Sequence, residues 1–350
     1  MVNKNEEIFD KTLEQQLNTL RVDGGLRRRV LRDLRKLESE IAIKIAEIAP
    51  ENASRFKATR LRDLLREVRS LIDADFRKIE EELREQLIQL ASVEASRQAQ
   101  ILSDTLELTV STTAISTAKL NAIYRDALIE GAPSAEWWKR QSEQLKRSFE
   151  DQMRQGIILG DTNDQLVRRV RGTQAFGFTN GIMNTTRRNA EALVRSSVQS
   201  VANSARFESM ELFQERFKSY KHVSTLDSKT SERCIVRDGK RWNAETKEGI
   251  GHKIPFAVPP LHWNCRSLLV PELKGTRLPE DADRASIDGP VPANTSFTDF
   301  LERKGKAFQD EVLGKGKAEL WRDGKIKLTQ LLDQQGNPLT LQELKRKYDN

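Results

Sequence analysis

The sequence predicts a mainly α-helical protein carrying one small α+β unit, and three observations predict it. Apolar residues recur at steps of three and four along the first half of the chain. The apolar share is low, at 37%, against 32% charged residues. One stretch near residue 220 switches to alternation and turn chemistry. A low apolar share with abundant charge suits long helices with wide solvated faces and a modest core. The 350 residues allow two domains, or one domain with helical arms.

The first helix carries Leu26, Val30, Leu34, Leu37, Ile41, Ile45 and Ile48 on one face, with Arg and Glu opposite, and Pro50 ends it. The second carries Leu61, Leu64, Val68, Ile72, Phe76, Ile79, Leu83, Leu87 and Leu90 on one stripe. Its length predicts packing against the first helix, a second protomer, or both. The Ser/Thr-rich "TVSTTAISTAK" weakens the period, because its hydroxyls compete for backbone hydrogen bonds. It reads as a helix junction or a tightly packed face of small residues.

Gly131 and Pro133 punctuate the chain, and Ser134 is placed to cap a helix containing Trp137, Trp138, Leu145 and Phe149. Thr162 and Gln165 form a capping box for a short helix that Gly172 ends. After the loop "FGFTNGIMN", a helix from about Thr186 to Phe217 buries Ala190, Val194, Val198, Val201, Ala205 and Phe213. "KSYKHVSTL" then alternates as a strand, "DSKTSERCIV" turns into a short helix, and Asp238-Gly239 marks a tight turn. "CRSLLV" is a returning strand closed by Pro271. The expected regions are an N-terminal helical region at 1–132, central helices at 133–217, an α+β unit at 218–272, an extended linker at 273–298 and a basic C-terminal tail at 299–350. The tail ends in a small helix begun by the capping box Thr340 to Glu343.

Several function classes drop out. "MVNKNEEIFDKTLEQQ" has no apolar core of a signal peptide, and no run reaches the roughly 18 apolar residues of a membrane span. Two cysteines are too few for a disulfide framework, so a reducing compartment is expected. The net charge of +7 favours polyanions without demanding them, and a solvated Arg-rich helix face explains it equally well. A dedicated DNA-binding protein would show denser Lys/Arg with interleaved aromatics, and aromatics are only 6%.

Reactive chemistry concentrates in "PPLHWNCRSLLVP", which holds His262 and Cys265 three residues apart. With Cys234 they are zinc-type ligands, and Asp227 and His252 are the nearest candidates for a fourth. A cysteine–histidine nucleophile would need a thiolate lowered by a helix start or a sharp elbow, and nothing around Cys234 resembles one. The third reading is a knot of buried cysteines, with His262 and Arg266 bonding to loop carbonyls. On local grounds all three stay open, with the knot ahead.

The motif series D-x-x-T (Asp227, Thr230), C-x-x-x-D-G-K (Cys234, Asp238, Gly239) and H-x-x-C-R (His262, Cys265, Arg266) resembles the signature of the phage Mu F-like minor head proteins. The preceding "TRRNAEALVRSSVQSVANSARFE" is similar to that family's Arg-Thr/Ser helix, with Arg195-Ser196 and Asn203 at matching positions. The resemblance covers about residues 155–272, and the "VLGKGKAELWRDGKIKLTQLL" tail is similar to tails in such proteins. Many relatives carry C-x-x-C before the turn, where this chain has Ser231. The resemblance implies a non-enzymatic minor structural protein of a tailed-phage head, made in the host cytoplasm and incorporated into the virion during procapsid assembly. It implies as partners the portal, other head proteins and packaged double-stranded DNA. No membrane is implied, and a homo-oligomer is compatible. The alternatives are a toxin-like or transferase enzyme built on the same domain, or a non-specific DNA-binding protein.

Overall fold

A computed structural model describes residues 3–47, 56–108, 115–276 and 282–348. Among them it is mainly helical, with small sheets. No described helix is long and apolar enough to cross a membrane. The chain divides into two compact units. One comprises Met1–Leu20, Gln89–Ile123 and Gln199–Asn350, and the other Arg21–Ile88 and Tyr124–Val198.

Helices α1 (Lys4–Ala46) and α2 (Phe56–Leu106) follow the predicted stripes. Leu26, Val30, Leu34, Leu37, Ile41 and Ile45 are buried on α1, and Leu64 to Leu90 of the second stripe are buried on α2. Leu61 is only half-buried. Each buried Leu or Ile is worth roughly 1.5–3 kcal/mol, so these stripes, and not helix propensity, hold the long helices. Ile48, Pro50 and 109–114 of the Ser/Thr-rich stretch lie outside the described residues; α3 (Thr117–Asp126) begins just after.

In the unit of Arg21–Ile88 and Tyr124–Val198, a two-residue hairpin, β1 (Leu128–Ile129) and β2 (Ala132–Pro133), turns through Gly131. Helix α4 (Ser134–Leu159) follows, with Trp138, Leu145, Phe149 and Met153 buried. Trp138 meets Phe76 of α2 edge to face at 6.1 Å. Ser134 is not the cap expected of it. Pro133 occupies the cap position, and the Ser134 hydroxyl bonds the Ser197 hydroxyl at 2.8 Å. The predicted capping box of Thr162 and Gln165 starts α5 (Asn163–Arg171), and Gly172 ends it.

Helix α6 runs Ile182–Glu211, starting earlier and ending earlier than its apolar pattern suggested. The pattern continued because Phe213 and Phe217 are buried, but as the cap of a 3-10 turn and the first residue of a strand. In the unit of Gln199–Asn350, strand β3 (Phe217–Val223) is central between β4 (Arg241–Asn243) and β5 (Leu268–Leu273), both antiparallel to it. Every β3 residue except Lys218 is buried, so the two-sided alternation expected of it is lost to burial on both faces. Pro271 does not close the returning strand. It pairs inside β5 opposite Tyr220, which an edge strand tolerates because one row of amides needs no partner.

The expected extended linker holds a hairpin, β6 (Asp283–Ser286) and β7 (Gly289–Pro292). The expected basic tail folds as α8 (Phe297–Glu302), α9 (Lys306–Leu313), α10 (Lys315–Arg322) and α11 (Leu341–Tyr348). These helices share a core with the short helix α7 (Glu232–Arg237), built on Ile235, Phe297, Phe300, Leu301, Leu320 and Leu344. The Thr340–Glu343 capping box is present, with reciprocal bonds of 3.3 and 2.8 Å.

Candidate metal centre

The motif residues meet where α7, the loop before β5 and the β3 end converge. Asp227 accepts the amide of Lys229 at 2.9 Å and receives the Arg266 guanidinium on both oxygens, at 2.6 and 2.8 Å. D-x-x-T is thereby tied to H-x-x-C-R by a two-pronged ion pair. Burial opposes the charge of Asp227, but the Arg266 fork and the Lys229 and Thr230 bonds outweigh it and lower its pKa. The Thr230 hydroxyl donates to Thr225 O at 2.5 Å, closing the turn that leads into α7. Helix residues support the other side: Asn203 of α6 donates to Ser267 O at 3.3 Å, and Gln16 of α1 to Arg266 O at 3.2 Å. Arg195 and Ser196, the other matching positions, lie in the other unit, Arg195 being 3.8 Å from Asp23.

Within this frame Cys234, His262 and Cys265 present their ligand atoms within 4.8 Å of one another. Cys234 Sγ is 3.6 Å from Cys265 Sγ and 3.2 Å from His262 Nε2. His262 Nδ1 lies 2.8 Å from Trp263 O, which can only accept, so Nδ1 carries the proton and the Nε2 lone pair faces the sulfurs. Hydrogen bonding between the two sulfurs pushes the Cys234 thiol up and the Cys265 thiol down. Burial opposes the His262 imidazolium, but the Cys265 sulfur outweighs it and raises its pKa.

The set fits zinc. Bond lengths of about 2.3 Å to sulfur and 2.0–2.1 Å to nitrogen place tetrahedral ligands roughly 3.5–3.8 Å apart, so the sulfurs stand almost at that span and His262 needs to retreat by only a few tenths of an ångström. Beside Cys234 and His262 lies a cavity of about 10 Å³, room for one water. The Ser231 hydroxyl is buried, makes no capping bond to α7 and stands against the Cys234 sulfur. Water or Ser231 can therefore stand fourth. The two fourth ligands suggested by the sequence are engaged elsewhere. Asp227 is held by Arg266, and His252 bonds Arg241 O at 2.9 Å beside the Trp242 ring, outside the cluster.

Cys234 does sit in the first turn of a helix, contrary to the expectation that no helix start adjoins it. Both sulfurs are nevertheless about 1% exposed, and the adjoining cavity admits a water and no larger substrate. The remaining motif residue, Asp238, anchors a separate node. Its carboxylate accepts the Ser224 amide at 2.9 Å, the Phe297 amide at 3.0 Å, and the Arg284 guanidinium at 2.6 and 2.9 Å. Gly239, at φ +72°, makes the turn behind it, where a side chain would be strained. Sequence reasoning missed Arg284, although "SIDG" carries the Asp-Gly hairpin signal that was used at Asp238-Gly239.

No curated protein and no solved structure matches the chain. Residues 147–270 match the family model described as phage Mu protein F like protein, a span that contains α5, α6, the three-stranded sheet up to Val270 and all three candidate ligands. Over that segment the chain is similar to the phage Mu protein F-like family.

Proposed function

We propose that the chain is a minor structural protein of a phage head, incorporated during head assembly and working beside the portal and the packaged DNA. The observation that carries this reading is the family match over residues 147–270, which supports a role in phage head morphogenesis and contact with other head proteins. The buried motif residues agree with it, because they tie strands, turns and helices together and line no cavity that would admit a substrate. In this reading the role is structural, and the family match is what supports it. Within it, Cys234, His262 and Cys265 hold a zinc ion with a water or Ser231 as fourth ligand, and that ion fastens α7 to the loop before β5. Its binding energy is folding energy for this part of the chain.

The deciding experiment is quantitative mass spectrometry of washed procapsids and virions. The chain is expected in both at a fixed low ratio to the major capsid protein. Its absence from both would refute the reading.

A further inference from the structure

We infer that the open groove between α1, α5 and α6 in the unit of Arg21–Ile88 and Tyr124–Val198 is a docking site for an acidic protein segment that also carries an apolar side chain. The groove measures about 550 Å³, within the usual range for ligand sites. Four guanidiniums line it, from Arg35, Arg171, Arg187 and Arg188, against the two carboxylates of Glu38 and Glu191. Glu38 is buried and already committed: it accepts from Arg171 at 3.1 Å and from Arg187. That pairing fixes the two planar forks in place and leaves the groove with a positive excess. Arg35 is exposed, spends its Nε on Leu31 O, at 3.2 Å, and enters no ion pair among the described residues. Arg188 is exposed and enters no ion pair among the described residues. Preset arginine forks match carboxylates in pairs.

The apolar half of the recognition comes from Phe178, 44% exposed in the groove wall. Its loop is rigid. Gly172 and Gly181 stand so close to neighbouring backbone that an added Cβ would lie 2.8 Å from Phe178 O and 2.3 Å from the Arg171 carbonyl carbon, respectively. The amide of Phe178 donates to Thr173 O at 2.8 Å, and that of Thr173 to Asn180 Oδ1 at 2.9 Å. Phe178 itself is held at φ +60°, a conformation a bulky residue rarely adopts. The ring is thus displayed at a backbone cost, beside fixed positive charge. Duplex DNA would satisfy the arginines but would leave the ring facing phosphates and sugars, because its bases are stacked inside. A segment with carboxylates flanking an aromatic or aliphatic side chain satisfies both. The inference rests on the assembly reading for its biological setting only, since the binding is measured on the purified chain.

Fluorescence anisotropy tests it with three labelled probes: a 12-residue peptide alternating Glu with Phe and Leu, an all-Glu peptide of equal charge, and a 20-base-pair duplex. The mixed peptide is expected to bind about tenfold tighter than the all-Glu peptide, and Arg188→Glu to weaken it about tenfold, as for a charge in direct contact. Phe178→Asn, which keeps the left-handed backbone comfortable, should bring the mixed peptide down to the all-Glu level, while Arg35→Glu gives an independent exposed charge reversal. Equal binding of the two peptides, or indifference to both charge reversals, overturns the proposal. So does a duplex that binds and loses affinity to Arg188→Glu where the mixed peptide does not bind. A chain that sediments as a dimer dissolved by Arg188→Glu overturns it too, because a second copy then fills the groove. Any of these results leaves incorporation into procapsids to be judged separately.

Discussion

Asp238 and Arg284 form a two-pronged ion pair with both side chains at most 2% exposed, joining the turn after α7 to the β6–β7 hairpin. A buried pair of this kind gives little net stability while intact, yet removing one partner strands a charge in the interior. Asp238→Asn should therefore cost about 3–5 kcal/mol in urea-induced unfolding. The double variant Asp238→Leu/Arg284→Met should recover part of that loss and not all of it, because the Ser224 and Phe297 amides stay without their acceptor. Equal destabilisation by the single and double variants would show that the charge is not the cause.

Zinc content is the second expectation. The protein purified without chelator should carry about one zinc per chain, and Cys265→Ser should abolish it, since structural sites depend on their thiolates. Ser231→Cys would supply a third sulfur one helical turn before Cys234 and should tighten binding at least about tenfold, read by competition with a colorimetric chelator. A metal-free protein whose melting is unchanged by chelator would instead leave the cluster as a hydrogen-bonded knot. In that case His262→Ala should cost about 1–3 kcal/mol through the polar groups it leaves unpaired.

Lys221, buried at the middle of β3, supplies a pH dependence. Burial first, and then the Arg241 charge, push its pKa down from 10.5 to about 8. Between those values the unfolded chain binds the extra proton, so stability should rise with pH from about 8 to 10.5 and carry the whole penalty below 8. Lys221→Met should accordingly stabilise the protein by about 1–3 kcal/mol at pH 7 and flatten that rise. Urea midpoints at pH 7 and pH 9.5 decide it, and a destabilised Met variant would sink the argument. The ammonium's bond to Ala293 O, at 3.3 Å, and its approach to the Phe9 ring are too weak to offset the lost water.

Gly181→Ala should be destabilising although the residue is small. The new methyl would lie 2.3 Å from the Arg171 carbonyl carbon and the Gly172 nitrogen, and neither is a flexible side chain that could move aside. A loss of about 2 kcal/mol or more is expected, measured as a lower thermal midpoint. Gly177→Ala, with open space around its Cβ, should lose less, paying only for its φ of +54°.

How much of this was legible beforehand depends on the physics of each element. The α1 and α2 stripes could be read because a solvated helix shows its buried face as a 3.6-residue rhythm, and Leu34, Leu37 and Val68 obey it. The end of α6 could not, because Phe213 and Phe217 keep the apolar rhythm after the helix has stopped. The convergence of Cys234, His262 and Cys265 was suggested by H-x-x-C spacing, whereas the approach of the Ser231 hydroxyl to Cys234 and the Nδ1 lock on His262 depend on tertiary geometry. Arg284 was hidden because a charged residue in a Pro- and Gly-rich segment reads as solvated until its carboxylate partner, 46 residues away, is brought to it.

The place of Pro271 within β5 has a consequence for crowding. The sheet has two outer margins, and neither invites another strand. One is a three-residue β4; the other carries an imino nitrogen at Pro271 and has its Leu273 amide already occupied by Asn5 Oδ1 at 2.8 Å. An open sheet edge exposes copies of a chain at high concentration to runaway strand stacking, and these blunted margins remove the template for it. Any partner of this sheet must then be recognised through side chains and not through shared backbone ladders.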